Sequence, residues 1–266
     1  MISKTKFIIV GCGNMGKSIL LSLTSMNPDI DFCVVDPNAQ HEPQLKQVFF
    51  CDNFQNIPKR FYNPNYILFA IKPQISQSVI PNYKKIIAPY TVIISIMAGT
   101  LIRTLEQHFS IEHKIVRIMP NIGAKIKKSV NVTCFNEAID NTEKKPITKL
   151  LKSFGEVIEI NENQINIATA LSGSGPAFVL FIIKSFIESA TKLGLTPQVA
   201  KKMLLATFDS SVDLAKTDDL ETLIHQVTSK GGTTEAGLQE AQKDDVLKNT
   251  IDKIINASYN RANDLG

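Results

Sequence analysis

The chain has 266 residues, of which 44% are hydrophobic and 20% charged, and its 29 basic and 25 acidic residues leave a net charge of +4. These near-average figures exclude a disordered, collagen-like or coiled-coil protein, and so even a charge balance leaves no electrostatic footprint for a nucleic-acid partner. The longest uninterrupted apolar run, residues 177–183, is far short of the ~20 residues of a membrane helix, and the N-terminus has no signal-peptide apolar segment, so the expectation is a cytoplasmic protein with no membrane partner.

In chain order, β-rich runs are predicted at residues 7–10, 32–35, 67–70, 92–95, 115–118, 130–134 and 157–160, separated by helical or loop segments. Several are apolar throughout, the pattern of strands covered on both faces by helices. The alternation implies βαβ units and a parallel, doubly wound sheet over residues 1–162. Beyond it the punctuation changes. Ser174-Gly175-Pro176 opens a predicted helix with proline in its first turn, and Gly194 closes it. Thr196 caps the next helix, which runs to about Ala215, and Thr233-Thr234-Glu235 and Asp244-Asp245 start two more. Residues 163–266 therefore read as all-helical, and the fold class is α/β followed by a helical domain. Cys12, Cys33, Cys51 and Cys134 lack CxxC spacing and read as reduced thiols, and His41, His108, His113 and His225 share no metal-ligand spacing, so no metal site is expected.

Eight of the 13 glycines fall in three clusters: Gly11, Gly13 and Gly16; Gly173 and Gly175; Gly231, Gly232 and Gly237. Glycine permits backbone conformations and close approaches that a Cβ forbids. Gly11-Cys12-Gly13-Asn14-Met15-Gly16 fits GxGxxG between the strand at 7–10 and a helix-compatible segment, which is the setting of a Rossmann-like dinucleotide loop. There Gly11 permits the tight turn, Gly13 lets the backbone reach a pyrophosphate, Gly16 lets helix and strand pack, and the helix N-terminus attracts the anion. Asp36 ends the second strand 20 residues beyond Gly16, where a carboxylate can hydrogen-bond the adenosine ribose and favour NAD. Asp36-Pro37-Asn38 is equally a turn sequence, and both readings stand.

Ala170-Leu171-Ser172-Gly173-Ser174-Gly175-Pro176-Ala177-Phe178 resembles the hallmark segment of the pyrroline-5-carboxylate reductases. Ala70-Ile71-Lys72-Pro73-Gln74, Ser95-Ile96-Met97-Ala98-Gly99, Arg117-Ile118-Met119-Pro120-Asn121 and the segment from Val227 to Leu238 resemble further blocks of that family, in the right order and over nearly the whole chain. The resemblance implies a cytoplasmic enzyme that reduces L-1-pyrroline-5-carboxylate to L-proline with NADPH or NADH, the final step of proline biosynthesis. It also implies a homodimer with swapped helical dimerisation domains, assembled in some members into rings up to a decamer. Carried over as cofactor-binding are Gly11, Gly13, Asn14, Met15, Asn53, Ala70, Lys72, Pro73, Ala98 and Gly99, to which the loop reading adds Gly16 and Asp36. The substrate pocket is similar to one formed by Ser172, Gly173, Ser174 and Gly175, by Ser229, Gly231, Gly232 and Thr233, and by the partner chain. Thr234 resembles the family threonine whose hydroxyl meets the ring nitrogen, and is the catalytic candidate.

Such a reaction asks the protein mainly to hold two rings face to face, fix a carboxylate and manage one proton. The loop at 229–234 precedes a predicted helix, so its backbone N–H groups can converge on an anion, and a threonine hydroxyl can both donate and accept. Plainer readings stand beside these. Ser229, Thr233 and Thr234 can cap a helix, and Ser172 or Ser174 can be an N-cap ahead of Pro176. Lys72 can snorkel at the surface, Arg117 can form a structural ion pair, and Phe178, Phe181 and Ile182 suit a core or a dimer interface.

Two departures from the family pattern bear on the site. Lys230 stands where proline is usual, which frees the loop backbone while adding a cation, and Ala206-Thr207-Phe208-Asp209-Ser210-Ser211 replaces the usual Gln-Thr and Gly-Ala. A β-hydroxyacid dehydrogenase would need asparagine four residues after a helix lysine, whereas Lys184 is followed by Glu188. A catalytically idle dinucleotide-binding or sensing protein is opposed by the retained Ser229, Gly231, Gly232 and Thr234.

Overall fold

The computed structural model of the chain describes residues 4–38 and 45–264; His41 lies outside them. Among these residues eight strands form one sheet: β1 (Thr5–Val10), β2 (Ile30–Val35), β3 (Val48–Cys51), β4 (Tyr66–Phe69), β5 (Val92–Ser95), β6 (Lys114–Met119), β7 (Ser129–Phe135) and β8 (Gly155–Glu159). Their spatial order is β3-β2-β1-β4-β5-β6-β7-β8, and β1 to β6 run parallel. This is the Rossmann order, in which the winding reverses between β1 and β4 and opens a crevice at the strands' carboxyl ends.

The apolar runs explain why the sheet is covered on both sides. Along β1 and β2, Phe7, Ile9, Phe32 and Val34 face one layer with Ile19, Leu20 and Leu23 of α1 (Asn14–Met26). Ile8, Val10, Cys33 and Val35 face the other, with Ile80 and Tyr83 of α2 (Pro73–Tyr83) and Leu105 of α3 (Ile102–His108). The helix α4 (Asn141–Leu151), opened by an Asp140/Glu143 capping box, adds Ile147, Leu150 and Leu151 to the first layer.

The sheet departs from the expected all-parallel form. β7 is antiparallel to β6, and β8 then pairs parallel to β7. Only a short 3-10 turn, Ile122–Ile126, lies between β6 and β7, too little chain for a crossover of a dozen residues. β3, absent from the expectation, is a four-residue edge strand held by its register against β2.

Arg117 on β6 is 1% exposed, and its Nη1 lies 3.0 Å from Glu162 Oε1, which also accepts the Ile102 N–H at 2.8 Å. The structural ion pair is therefore real, and removing one partner strands a buried charge. Glu162→Ala should lower unfolding stability by about 3 kcal/mol. Arg117→Met, which fills the space without a charge, should cost clearly less in denaturant titrations at equal protein concentration; equal losses would show that charge burial is not the cause.

The chain divides into two compact units, one ending at Ser174 and resuming at Ser258, the other Gly175–Ala257. The first closes with α5 (Ile165–Ala168) and a π-helical turn, Thr169–Gly173. The second holds α6 (Gly175–Lys192), α7 (Pro197–Leu214), α8 (Leu220–Gln226), α9 (Thr233–Gln242) and the greater part of α10 (Val246–Asp264). Gly194, at φ +106°, ends α6, and the Thr196 hydroxyl accepts the Val199 N–H to open α7, as the sequence suggests.

In the second unit Ala200 is the one buried residue among those described, while Leu180, Phe181 and Leu193 are 62%, 66% and 90% exposed. Helices carrying so much apolar surface need a cover to be stable. The stretch Glu162–Lys192 is, by length and composition alone, long and apolar enough to cross a membrane, with mean hydropathy 1.6 over its best 18 residues. Counting uninterrupted apolar residues overlooks it, because Ser172 to Pro176 and Lys184-Ser185 break the run while hardly lowering an average.

Candidate active site

The first glycine cluster sits at the crevice. Gly11 has φ +96°, and a Cβ there would lie 2.5 Å from the Ala70 carbonyl oxygen; one on Gly16 would lie 2.3 Å from the Gly11 oxygen. These two positions are closed by packing. Gly13 differs: a Cβ there would meet nothing within 4 Å. Gly13 is also the N-cap of α1 and offers no side chain to the first-turn N–H groups, which remain donors for an anion.

Two cavities of the first unit flank this loop. One, of about 520 Å³, is lined by Gly11, Gly13, Asp36, Asp52, Asn53 and Lys72 among others. The second, of about 330 Å³, is lined by Gly13 to Gly16, by Ala70 to Pro73, and by Ile96, Met119 and Pro120. Gly13, Ala70, Ile71 and Lys72 border both. The crevice thus has room for an extended two-ended ligand bent over the glycine loop, which fits a dinucleotide.

Asp36 serves the turn and faces the larger cavity at once. Its Oδ2 accepts the Cys12 N–H at 2.6 Å and its Oδ1 accepts the Asn38 N–H at 2.7 Å, and each oxygen keeps a lone pair for a hydroxyl. Asn53 caps a 3-10 turn by accepting the Asn56 N–H and donates to Asp52 Oδ1 at 3.0 Å. Lys72 is the exposed N-cap of α2, and Pro73 is its first residue. Burial pushes the Tyr83 phenol at the cavity wall well above its ordinary value, so it stays protonated. Ala98 and Gly99 lie past β5 in a turn where Gly99 has φ +73°; Ile96, not these two, lines the second cavity.

The second glycine cluster corrects the expected capped helix start. Ser174 is not an N-cap: its backbone is helical, φ −86° and ψ −25°, and its N–H donates back to the Thr169 carbonyl at 2.9 Å. Ser172 is not one either, since it lies inside the π-turn and its hydroxyl donates to the Ala168 carbonyl at 2.8 Å. Proline at 176 supplies no N–H and its ring crowds the carbonyl four residues back, which accounts for the local widening of the helix. The segment stays close to the crevice, for a Cβ on Gly173 would lie 3.7 Å from Met119 Cγ.

In the third cluster Gly232 is the N-cap of α9, and no side chain caps that helix. The hydroxyls of Ser229, Thr233 and Thr234 are therefore not used as caps. The two glycines have structural reasons of their own, since Gly231 has φ +71° and a Cβ on Gly232 would lie 2.5 Å from Ser229 Oγ. The loop is less open than expected: the Gly231 N–H donates to Glu235 Oε2 at 2.7 Å and the Gly232 N–H to the Ser229 carbonyl at 3.0 Å. Thr233 and Thr234, exposed at the first turn of α9, keep the outward N–H groups.

Residues 162–265 match the family of pyrroline-5-carboxylate reductase dimerisation domains, and residues 6–99 match the NADP oxidoreductase, coenzyme F420-dependent family. A pyrroline-5-carboxylate reductase of Staphylococcus aureus is 29% identical over 98% of this chain and 97% of its own. Among solved structures, a Plasmodium falciparum pyrroline carboxylate reductase with NADP bound superposes with a TM-score of 0.87 at 28% identity, covering all of both chains. A pyrroline-5-carboxylate reductase of Coxiella burnetii gives 0.86 at 26%, over 99% of each. Residues 162–265 thus carry the pyrroline-5-carboxylate reductase dimerisation family, and the chain is similar to pyrroline-5-carboxylate reductases along its whole length.

For this pyrroline-5-carboxylate reductase relative, the helices with almost no buried residue are those that match the dimerisation family. The sequence signals for Asp52, Ile96, Met119 and Pro120 as cavity residues were weaker. Ile96, Met119 and Pro120 sit within quoted family blocks without an assigned role, and Asp52 carries no motif at all.

Proposed function

We infer that the protein reduces L-1-pyrroline-5-carboxylate to L-proline with NAD(P)H. The observation that carries this is the open space at Gly13, between two cavities and at an uncapped helix N-terminus, in a chain that matches the reductase family over its whole length. When bound, the reduced nicotinamide supplies a hydride to the imine carbon, and a proton on the ring nitrogen completes the amine. The chain's own residues do the rest. Gly13 and the N–H groups of Asn14, Met15 and Gly16 hold the pyrophosphate, Asp36 and Asn53 hold the adenosine ribose, and Lys72, placed by Pro73, offsets phosphate charge. Ala98 and Gly99, in the turn that follows the cavity residue Ile96, are assigned to the nicotinamide ribose on the family resemblance alone.

On the substrate side, Ser172, Gly173, Ser174 and Gly175 present a flat, small-residue surface. Ser229, Gly231, Gly232 and Thr233 shape the loop that receives the carboxylate, through the outward N–H groups of its last two residues. Lys230 adds a cation to the loop that favours a carboxylate. The Thr234 hydroxyl orients the ring nitrogen and relays its proton. The protein oligomerises through residues matching the dimerisation family. We propose a cytoplasmic homodimer that exchanges its helical substrate-binding domains, from residue 163 onward, and can build rings up to a decamer. The apolar surface of α6 and α7 supports this.

Asp36 should read the ribose. No Lys or Arg occurs from Asp36 to Leu45, and Asp52 adds a second carboxylate to the cavity that Asp36 lines, so a 2′-phosphate placed beside Asp36 meets repulsion. Asp36→Ser should shift the NADPH to NADH ratio of binding constants at least about tenfold toward NADPH, which is ~1.4 kcal/mol. Equal ratios before and after would remove Asp36 from cofactor choice. The function itself is tested by steady-state oxidation of NADH and NADPH with pyrroline-5-carboxylate. Proline-forming turnover is expected with at least one; tight dinucleotide binding without turnover on this imine would leave only a binding protein.

A further inference from the structure

We propose that Asn121 is a positioning residue, which holds the π-turn at 169–173 in register with the end of β6 and thereby sets the backbone that meets the substrate. Pro176 leaves a donor missing from the helix. In a regular helix the Ser172 carbonyl would be taken by the N–H four residues on, but position 176 is proline and has none. A half-buried carbonyl left without a partner is still costly. In this structure it has one: Asn121 Nδ2 donates to the Ser172 carbonyl oxygen at 2.9 Å.

Asn121 does this with one end of its amide while the other end caps the 3-10 turn Ile122–Ile126. It is 6% exposed, its Oδ1 accepts the Gly123 N–H at 3.0 Å, and its own N–H donates to Ser129 Oγ at 2.9 Å. The amide orientation is thus fixed from the other end, so that the Nδ2 donor points at Ser172. Asn121 directly follows Met119 and Pro120, which line the second cavity. Gly173 lies against Met119, and the Ser174 hydroxyl meets Ser258 Oγ at 3.1 Å. One side-chain amide therefore links the cavity wall to the Ser172-Gly173-Ser174 backbone, at a π-turn of the kind that recurs at functional sites.

The inference rests on the reading that residues 172–175 meet the imine substrate. Its test compares Asn121→Asp, which keeps the shape and the acceptor for Gly123 while losing the donor, and Asn121→Ala, each with and without Pro176→Ala. Alanine at 176 restores an N–H that can pair with the Ser172 carbonyl. Expected in the otherwise unchanged chain is a rise of at least about tenfold in KM for pyrroline-5-carboxylate, with the dinucleotide Kd from fluorescence titration altered less than about twofold. In the Pro176→Ala background the same Asn121 substitutions should raise KM less than about threefold. A merely structural role would lower Tm and leave KM and the coupling to residue 176 untouched, and that result overturns the proposal. Wild-type KM and kcat in Asn121→Asp overturn it too. If the unmodified protein does not turn over this imine, the functional reading fails instead, so the two failures are told apart.

Discussion

Gly13→Val should abolish dinucleotide binding while leaving the fold intact. The residue occupies φ −65° and ψ −172°, an extended conformation open to any L-amino acid, and a Cβ there would touch no protein atom within 4 Å. Only a ligand in the crevice would collide with the branched side chain. The neighbouring glycines behave oppositely, since substituents at Gly11 and Gly16 would run into backbone at 2.5 and 2.3 Å and should destabilise the protein itself. Fluorescence titration with NADH and NADPH should show Kd weakened at least about 100-fold, or ~2.7 kcal/mol, with Tm within a few degrees of the parent. Binding within threefold of the parent would remove the loop from the cofactor site.

Thr234→Val should separate chemistry from cofactor binding. The Thr234 side chain is exposed and caps no helix, so replacing the hydroxyl by a methyl of similar size should change stability by no more than ~0.5 kcal/mol. Losing a group that orients and protonates the ring nitrogen should reduce kcat/KM for the imine about 100-fold. Dinucleotide Kd should stay put, and Thr234→Ser, which keeps the hydroxyl, should recover most of the activity. Unchanged turnover in the valine variant would take Thr234 out of the mechanism and leave the first turn of α9 as a carboxylate site only.

The parts of the structure legible in the sequence are those set by near neighbours in the chain. The roles of Gly11, Gly13 and Gly16 follow from a strand, a turn and a helix in succession, and Gly194 and Thr196 punctuate two helices through contacts within a few residues. What escaped the sequence depends on distant partners or on local choices that residue types leave open. Ser-Gly-Ser-Gly-Pro suits a capped helix start and a π-turn alike, and the amide that partners the Ser172 carbonyl, that of Asn121, is 51 residues away. β3 exists because β2 offers it an edge, and β7 reverses because the connection from β6 is short. In the loop at 229–234, the residue types promise a ring of open N–H groups, but the Glu235 carboxylate takes the one on Gly231.

Hydride delivery to a five-membered imine carboxylate is read most directly by isotope transfer. NADH, or NADPH where that is the working cofactor, stereospecifically deuterated at nicotinamide C4 on either face, is incubated with the protein and pyrroline-5-carboxylate, and the proline is analysed by mass and by NMR. With one of the two labelled faces, proline should carry one deuterium on the former imine carbon. Proline free of label with both cofactor isomers, or no proline at all, would contradict the account.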